Sequence, residues 1–395
     1  MRIAGKTIGP DEPPYIIAEL GVNHDGDLGR ALELVDAAAA GGADAVKVQH
    51  FEPGTLLSRD ARLAEYQSGA GETDPRQMLG RLRLGPAQLA QVAARAHKRG
   101  LAAIATVFSV ELVREADRLG FDAFKTASPD VINRPLLERL AATGAPLIVS
   151  TGAATLDEVD RAAGWLDDAH DRLALLQCVS SYPTPWEEAG FGGVRALDER
   201  FERFAVPVGY SDHTVGTHAA AHAVAMGACL LEKHITHDTE AAGPDHAASL
   251  HARDLPEYRA AAEAGLRLRG IAGMMREGDG TASIAEIAGH FGMPPEALAE
   301  IAEAGWLAGA YPPEKRVLDC ERDCRLTSRQ SLVATRDLPA GHTLAAGDLT
   351  IKRPGTGLEP HDLDRVIGRR LVGPVEADRV LFAADVGLEP LRDAG

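Results

Sequence analysis

Eight short apolar runs rich in β-branched residues alternate with Ala- and Leu-rich segments between Tyr15 and Ile235. The runs have the length of strands, and they are Tyr15–Leu20, Ala43–Gln49, Ala102–Phe108, Ala123–Thr126, Leu147–Ser150, Leu173–Val179, Val206–Tyr210 and Cys229–Ile235. The segments between them predict helices over Gly29–Ala40, Pro86–Arg99, Val110–Leu119, Pro135–Thr143, Leu156–Ala169 and Thr217–Met226. Strands joined by crossover helices form parallel sheets, so the pattern predicts an α/β fold, a (β/α)8 TIM barrel. A doubly wound open sheet is the structural alternative.

The rest of the chain has a different texture. A further helix is predicted from Glu257 to Gly270, and we take residues 1–270 as the barrel domain. Residues 271–327 lose the strand–helix rhythm and predict a linker that carries a helical insertion, Ala282–Phe291 and Pro295–Ala304. From Ser328 onward, short apolar runs are broken by turns, which predicts a small β-rich domain over residues 328–395.

Charge and composition exclude several kinds of partner. The net charge of −17 argues against nucleic acid and against anionic membrane surfaces, because both recruit clustered Lys and Arg. Four cysteines are too few for a disulfide scaffold, and no apolar run approaches the roughly 20 residues of a membrane span. We therefore expect a cytoplasmic protein.

Nearly every predicted strand ends in polar or charged side chains, where a TIM barrel carries its chemistry. His213 and His234 fall at equivalent ends of adjacent strands, so two imidazoles could chelate one divalent cation. Glu232 shares a face with His234 by alternation, whereas Lys233 points outward, between barrel and helices. Lys233 is therefore a weaker catalytic candidate than its neighbours.

Two lysines inside predicted strands form a second set. The chain has only seven lysines, and Lys47 and Lys125 lie in apolar strands near several hydroxyl groups. Two ammonium groups ringed by hydroxyls suit a compact dianion that carries a phosphate and a carboxylate. The alternative for one of these lysines is an internal salt bridge, for example with Glu19. The hydroxyl residues are Thr106, Ser128, Ser150 and Ser180.

Several motifs resemble the sialic acid (N-acetylneuraminate) synthases and their legionaminate, pseudaminate and spore-coat relatives. The opening stretch IAELGVNHDGDLGRALELVDAAAAGGADAVKVQ (17–49) resembles the start of these enzymes. The tail SLVATRDLPAGHTL and DLTIKRPGTG (331–357) is similar to their antifreeze-like (SAF, β-clip) domain. Between them follow, in order, KTASPD (125–130), STGAAT (150–155), CVSSYPTP (178–185), VGYSDHTVG (208–216), EKHIT (232–236) and GPDHAASL (243–250).

The resemblance implies a transferase that condenses phosphoenolpyruvate with an N-acylated hexosamine and water. The product would be a nine-carbon 3-deoxy-2-ulosonic acid, with release of phosphate. His213 and His234 would hold Mn²⁺, with Mg²⁺ or Co²⁺ as alternatives. Catalytic roles would fall to Glu19, Glu232 and Lys47, and phosphoenolpyruvate would meet Lys47, Thr106, Lys125, Ser128, Ser150 and Ser180. The sugar would meet Gln49, Asp130, Tyr182, Asp245 and Arg353.

The resemblance also implies a domain-swapped homodimer, in which Arg353 reaches the partner's barrel mouth. The chain departs from the family pattern at Val107, Pro129, Gly71 and Ser180, and residues 271–327 are longer than usual. Proline lacks an N–H and fixes φ, so the loop after the fourth strand must differ. The departures allow a synthase for another specialised sugar. Two rival functions are a Schiff-base aldolase that uses Lys125 or Lys47 without metal, and a non-catalytic sugar-binding protein.

Overall fold

The structure is a computed structural model that describes residues 1–277 and 313–389, with side chains described outside 271–277. Its N-terminal hairpin pairs β1 (Arg2–Ile3) antiparallel with β2 (Lys6–Thr7). Ile3 and Ile8 of this hairpin pack with Tyr15 and Ile17 in an apolar cluster that fills the lower end of the barrel. The predicted helices Ala282–Phe291 and Pro295–Ala304 lie outside the described residues.

Eight parallel strands close into a barrel, so the predicted TIM barrel is confirmed and the open sheet is excluded. Closure is direct: the last strand pairs with the seventh, Leu230 opposite Gly209, and with the first, Leu230 opposite Tyr15. The strands are β3 (Tyr15–Gly21), β4 (Ala45–His50), β5 (Ala102–Val107), β6 (Ala123–Thr126), β7 (Leu147–Ser150), β8 (Leu173–Cys178), β9 (Val208–Asp212) and β10 (Leu230–Thr236). A short β11 (Leu250–His251) continues beside β10.

Most helices agree with the predicted ones to within three residues. The helix predicted over Leu156–Ala169 ends at Gly164, and the one predicted over Glu257–Gly270 runs from Leu255 to Glu277. The helices are α1 (Leu28–Ala40), α2 (Pro53–Leu56), α3 (Glu65–Gly69), α4 (Pro75–Leu82), α5 (Pro86–Lys98), α6 (Val110–Ala116), α7 (Arg134–Ala141), α8 (Leu156–Gly164), α9 (Gly192–Phe201), α10 (Ala219–Ala225) and α11 (Leu255–Glu277). The sequence analysis missed α9 because its first turn holds Gly192 and Gly193, which are poor helix formers. It also missed the short helices α2 to α4. No helix in the described part of the chain is long and apolar enough to cross a membrane.

Alternation along each strand determines what faces the barrel interior. Ile16, Ala18 and Leu20 of β3 pack outward against the helices, which turns Ile17 and Glu19 inward. The same alternation turns Lys47 of β4 inward, opposite Glu19 in the strand register. The interior is thus apolar below and charged towards the carboxyl ends of the strands.

Lys233 lies between barrel and helices, as its position in the strand predicts. Its side chain is completely buried, and its Nζ lies 3.0 Å from Asp212 Oδ2. It also donates a hydrogen bond to the carbonyl of Thr214 and lies 5.9 Å from the ring centre of Tyr258. This lysine therefore neutralises a buried carboxylate and does not face the barrel interior.

The C-terminal domain has its own apolar core and covers the barrel mouth of its own chain. Its elements are α12 (Arg322–Ser328), the antiparallel strands β12 (Ser331–Ala334) and β13 (Leu349–Lys352), and α13 (Leu363–Val366). The backbone of Arg353 pairs with the barrel loop at Leu56 and Ser58, with N···O distances of 2.9 and 3.0 Å. Ion pairs join Arg59 to Glu376 and Asp60 to Arg379. These contacts form within one chain, and the expected domain swap stays a prediction, as does the homodimer itself.

Candidate functional site

A cavity opens at the carboxyl ends of the barrel strands, beneath the C-terminal domain. Of the predicted site residues, all but Glu19 and Asp130 line it. Glu19 contacts Lys47 from the barrel interior, and Asp130 is buried beside the cavity wall. The fold therefore brings together side chains from strands that are distant in sequence, the first and last of which, β3 and β10, lie more than 200 residues apart.

Two lysines and two carboxylates form a buried cluster at the floor of this cavity. Lys47 Nζ lies 2.6 Å from Glu19 Oε2 and 3.2 Å from Glu232 Oε1. Lys125 Nζ lies 3.2 Å from the other oxygen of Glu232. Ser211 Oγ also donates to Glu232, at 2.8 Å. The cluster carries two charges of each sign. The internal salt bridge considered as an alternative for one lysine therefore does form, and each of the two lysines is paired with a carboxylate.

The protonation of Lys47 is sensitive to this surrounding. Burial lowers the pKa of Lys47 to about 8, although the neighbouring Glu232 carboxylate opposes the shift. With this pKa, Lys47 is charged at neutral pH, but it releases its proton more easily than an exposed lysine does. Its Nζ also donates to Thr106 Oγ1, at 2.8 Å.

Hydroxyl groups line the cavity next to the lysines. Ser128 Oγ lies 3.1 Å from Ser150 Oγ and accepts a hydrogen bond from the backbone N–H of Gly152, at 2.9 Å. A Cβ at Gly152 would overlap the hydroxyls of Ser128 and Ser180, so this position requires glycine. The hydroxyls converge on one small volume that donors and two ammonium groups surround. This is the chemistry of an anion site.

Pro129 follows Ser128 and is accommodated by the local backbone. It lies in the first turn of a 3-10 helix, Ser128–Ile132. Backbone N–H groups in a first helical turn have no partner within the helix, so a proline costs no hydrogen bond there. The departure from the family pattern thus changes the loop without removing Ser128 from the cavity.

His213 and His234 are buried neighbours, with ring centres 5.6 Å apart. His213 Nδ1 lies 2.8 Å from the carbonyl oxygen of Val179, so Nδ1 carries the proton and the Nε2 lone pair is free to bind a cation. His234 Nδ1 is buried without a hydrogen-bond partner. Burial, reinforced by His213 and Lys47, holds the pKa of His234 well below its usual value, which keeps that imidazole neutral.

These two imidazoles fit a divalent cation. A cation would give the buried Nδ1 of His234 the partner that it lacks. The hydrogen bond that His213 Nδ1 donates to a backbone carbonyl fixes the tautomer in which Nε2 can bind a cation. In the described residues no group of three or more His, Cys, Asp and Glu side chains is arranged for a metal, and a cation here would meet the two imidazoles as its nitrogen ligands. Asp245 Oδ2 lies 3.8 Å from His234 Nδ1, close enough to influence the site by charge. Gly21 makes room for the ring, because a Cβ there would press on His234 and Glu19.

Aromatic rings and Arg353 form the outer part of the cavity. Tyr182 lies between Tyr66 and His213, with ring centres 4.9 and 4.1 Å away. The guanidinium of Arg353 lies 5.7 Å from the ring centre of Phe108, and its Nε has no hydrogen-bond partner. Gln49 Nε2 lies 3.3 Å from Glu19 Oε1. This end of the cavity combines aromatic rings with a few polar groups, a composition typical of small-molecule sites.

Sequence reasoning missed part of the cavity wall. Tyr66 and Phe108 belong to it, as do Cys324 and Arg325 of the segment that was interpreted as a linker and Arg329 at the start of the predicted C-terminal domain. The spacing of Glu321, Arg325 and Arg329 by four residues puts them on one helical face, a signal that was available in the sequence.

Asp130 generates a testable pH dependence of stability. Burial raises its pKa to about 7, although Arg353 and Asn133 oppose the shift. In the unfolded chain an Asp has a pKa of about 3.9, so the unfolded state loses this proton first and stability falls as pH rises from about 4 to 7. We expect Asp130→Asn to gain on the order of 2 kcal/mol relative to wild type between pH 5 and pH 8.

Urea unfolding at both pH values measures this difference. Asp364→Asn is the matched control, because its side chain is 81% exposed. An equal response of the Asp130 and Asp364 variants to pH would contradict the assignment.

Comparisons with known proteins agree with this architecture. Residues 34–267 match the NeuB family, and residues 329–387 match the SAF domain. The N,N'-diacetyllegionaminic acid synthase of Legionella pneumophila is 33% identical over 375 residues, covering 93% of each chain. The N-acetylneuraminate-9-phosphate synthase of Mus musculus is 28% identical over 386 residues, covering 97% of this chain and 95% of its own.

Solved structures give the same result. The spore coat polysaccharide biosynthesis protein SpsE of Bacillus subtilis superposes with a TM-score of 0.75 at 25% identity, covering 99% of both chains. The N-acetylneuraminic acid synthetase of Leptospira borgpetersenii, solved with citrate, superposes with a TM-score of 0.59 at 29% identity, covering 77% of this chain and 95% of its own. The family match spans more than half of the chain, and it coincides with the barrel that carries the site. The chain therefore belongs to the NeuB family and carries a C-terminal SAF domain.

Proposed function

We propose that the protein condenses phosphoenolpyruvate with an N-acylated hexosamine similar to N-acetylmannosamine, and with water. The products are a nine-carbon 3-deoxy-2-ulosonic acid of the sialic type and phosphate. The observation that carries the proposal is the meeting, in one cavity, of the lysine–serine anion site with two buried imidazoles, those of His213 and His234. Family members named as legionaminic acid and N-acetylneuraminate-9-phosphate synthases support the same class of reaction.

The anion site suits phosphoenolpyruvate. Lys47 and Lys125 supply two positive charges, and the hydroxyls of Ser128 and Ser150 face the same volume. Thr106 and Ser180 complete the proposed set. Because ion pairs with Glu19 and Glu232 fix the positions of the two ammonium groups, the substrate would be held by donors that are oriented before it arrives.

The acceptor sugar would lie nearer the histidines and the SAF domain. His213 and His234 would hold a divalent cation, which we propose to be Mn²⁺, with Mg²⁺ or Co²⁺ as alternatives, and its Lewis acidity would polarise the open-chain aldehyde of the sugar. Arg353 would reach the N-acyl group from the SAF domain. The other proposed sugar contacts are Gln49, Asp130, Tyr182 and Asp245.

The chemistry then proceeds in two steps. C3 of phosphoenolpyruvate forms a bond to the aldehyde carbon, whose oxygen takes up a proton, and positive character develops at C2. Glu232 lies beside both lysines and would stabilise that charge. Water adds to C2 and gives one proton to Glu19, and this proton replaces the one taken up by the aldehyde oxygen. Glu19 is completely buried and ion-paired with Lys47. The C2–O bond to the phosphate then breaks, the proton of the remaining C2 hydroxyl passes to the leaving phosphate, and C2 becomes the ketone.

A Schiff-base aldolase is the second candidate. The lowered pKa of Lys47 favours it, because an amine must be unprotonated to attack a carbonyl. The two readings differ in their need for metal. Borohydride would trap a covalent adduct of an aldolase with its substrate, and a chelator would leave its activity intact.

Phosphate release from phosphoenolpyruvate tests the proposal directly. The assay uses purified protein with Mn²⁺ and a panel of N-acylated hexosamines, including mono- and di-N-acylated and 6-deoxy sugars. We expect release that depends on one of the sugars and stops on addition of a chelator. The proposal would be overturned if no sugar led to phosphate release. It would also be overturned by turnover that resists the chelator and leaves a borohydride-trapped lysine.

His234→Ala tests the metal assignment. We expect turnover to fall at least about 100-fold, because one of two imidazole ligands is lost. The affinity for Mn²⁺, measured by titration calorimetry, should fall in parallel. The circular dichroism spectrum should remain that of the wild type. His218→Ala is the matched control, since His218 is exposed at the start of α10. Undiminished Mn²⁺ binding by the His234 variant would contradict the assignment.

A mixture of two inactive variants tests which barrel the SAF domain closes. Lys47→Ala disables the barrel and Arg353→Ala disables the SAF domain. In the structure each cavity is closed by its own chain, so the mixture should stay as inactive as the separate variants. In a domain-swapped homodimer, about one quarter of the cavities would combine two intact parts after subunit exchange. Recovered activity of that size would show closure across the dimer.

A further inference from the structure

Three charged side chains in the segment before β12 form hydrogen bonds to the barrel loop that follows β7. Glu321 ends a 3-10 turn, Arg325 lies on α12, and Arg329 follows that helix. We refer to these three residues as the clamp. Glu321 and Arg329 are 1% and 4% exposed, so the clamp lies in the interface between the segment and the barrel.

The clamp holds the backbone of Ala153 on both sides. Glu321 Oε1 accepts a hydrogen bond from the Ala153 N–H at 2.6 Å. The Ala153 carbonyl accepts from Arg325 and, at 3.1 Å, from Arg329. Ala153 has a φ of +50°, a left-handed conformation that costs a residue other than glycine roughly 1–2 kcal/mol. Such a conformation persists where surrounding contacts fix it, and the clamp provides them.

The same oxygen of Glu321 reaches a second strand end. It accepts from the Ser180 N–H at 2.8 Å, so one carboxylate oxygen ties the loop after β7 to the residues after β8. Its other oxygen accepts from the Leu318 N–H at 2.9 Å. Both oxygens are thereby occupied by backbone donors, and Glu321 does not line the cavity.

Glu158 on α8 balances the charge of the two arginines. Arg329 binds both its oxygens, at 2.7 and 2.8 Å, and Arg325 binds both, at 3.0 and 2.9 Å. Although burial raises it, these guanidinium groups hold the pKa of Glu158 well below its usual range. The arginines are therefore anchored to the barrel and positioned to bind Ala153.

We infer that Glu321 is a positioning residue for the anionic substrate: it fixes Ala153 and Ser180 so that the hydroxyls of Ser128, Ser150 and Ser180 converge. The inference rests on the proposed use of these hydroxyls for phosphoenolpyruvate. Gly152 precedes Ala153, and its N–H donates to Ser128 Oγ. A shift of the Ala153 backbone would therefore pass directly to Ser128, and a shift of the Ser180 backbone would move its hydroxyl.

Glu321→Gln tests this role, because glutamine keeps the size of the side chain but loses its charge and one acceptor oxygen. We expect calorimetric affinity for phosphoenolpyruvate to fall about tenfold, since a charged hydrogen-bond acceptor is replaced. The acceptor-sugar KM should change by less than the phosphoenolpyruvate affinity, because the sugar end is connected to Glu321 only through Arg329 and the paired strands β12 and β13. Glu314→Gln is the matched control from the same segment, because its side chain is 58% exposed; its affinity should equal that of the wild type. Glu321→Asp, which keeps the charge but shortens the reach, replaces Glu321→Gln if that variant does not fold.

A rescue experiment separates positioning from general stability. Glycine adopts a φ of +50° without the penalty that alanine carries, so Ala153→Gly should restore most of the phosphoenolpyruvate affinity in the Glu321→Gln background. Relief of this strain also raises the stability of the fold. Urea unfolding of the single and double variants therefore measures stability separately, and affinity should follow the loop and not the free energy of unfolding. Hydrogen exchange of the peptide spanning residues 150–156 should be faster in Glu321→Gln than in the wild type and should not change in Glu314→Gln.

The outcomes separate this inference from the proposed function. If wild type binds phosphoenolpyruvate and Glu321→Gln binds it equally well, the positioning role is wrong and the proposed function stands. If affinity falls but Ala153→Gly restores nothing, Glu321 does not act through Ala153 and the inference is wrong as stated. If wild type itself does not bind phosphoenolpyruvate, the proposed function is wrong, and the positioning role falls with it.

Discussion

The buried cluster of Lys47, Lys125, Glu19 and Glu232 is the interaction on which the site depends. Removing any one of the four would leave an uncompensated charge in a water-poor interior, which costs several kcal/mol. The barrel meets this demand by register, because Glu19 and Lys47 are opposite each other on paired strands. With the charges already balanced, the cavity above the cluster keeps its donors directed at one volume.

Much of the fold could be predicted because one simple rule governs it. A barrel strand shows a fully buried run, and the alternation of its residues determines which side chains face inward. Glu19, Lys47 and Lys125 were identified in this way, and so was the outward position of Lys233. Helix α9 was not predicted because its Gly-rich start has no amphipathic pattern. Burial of its first residues against the barrel outweighs their low helix propensity.

The site was less predictable because it depends on contacts that are distant in sequence. Hydroxyls at the strand ends could be named, but Gly152 matters through its closeness to Ser128 and Ser180, which lie on other loops and are distant in sequence. Pro129 was expected to alter the loop, and its place in the first turn of a 3-10 helix explains why Ser128 keeps its position. The segment before β12 has no apolar periodicity, because charges rather than apolar residues attach it to the barrel.

This segment also joins the two ends of the cavity. The clamp grips the loop beside the anion site, and Gln330, next along the chain, contacts Asn133 at 2.5 Å and the Phe108 carbonyl at 3.3 Å. β12 begins one residue later and pairs with β13, so that Ser331 lies opposite Lys352, the residue before Arg353. A displacement of the anion-site loop would thus be passed through Arg329 and the paired strands to Arg353. Because rigid, hydrogen-bonded elements connect the two ends, binding at one should alter the free energy of binding at the other. The acceptor end is then not an independent pocket, and its affinity for a sugar depends on how firmly the anion-site loop is held.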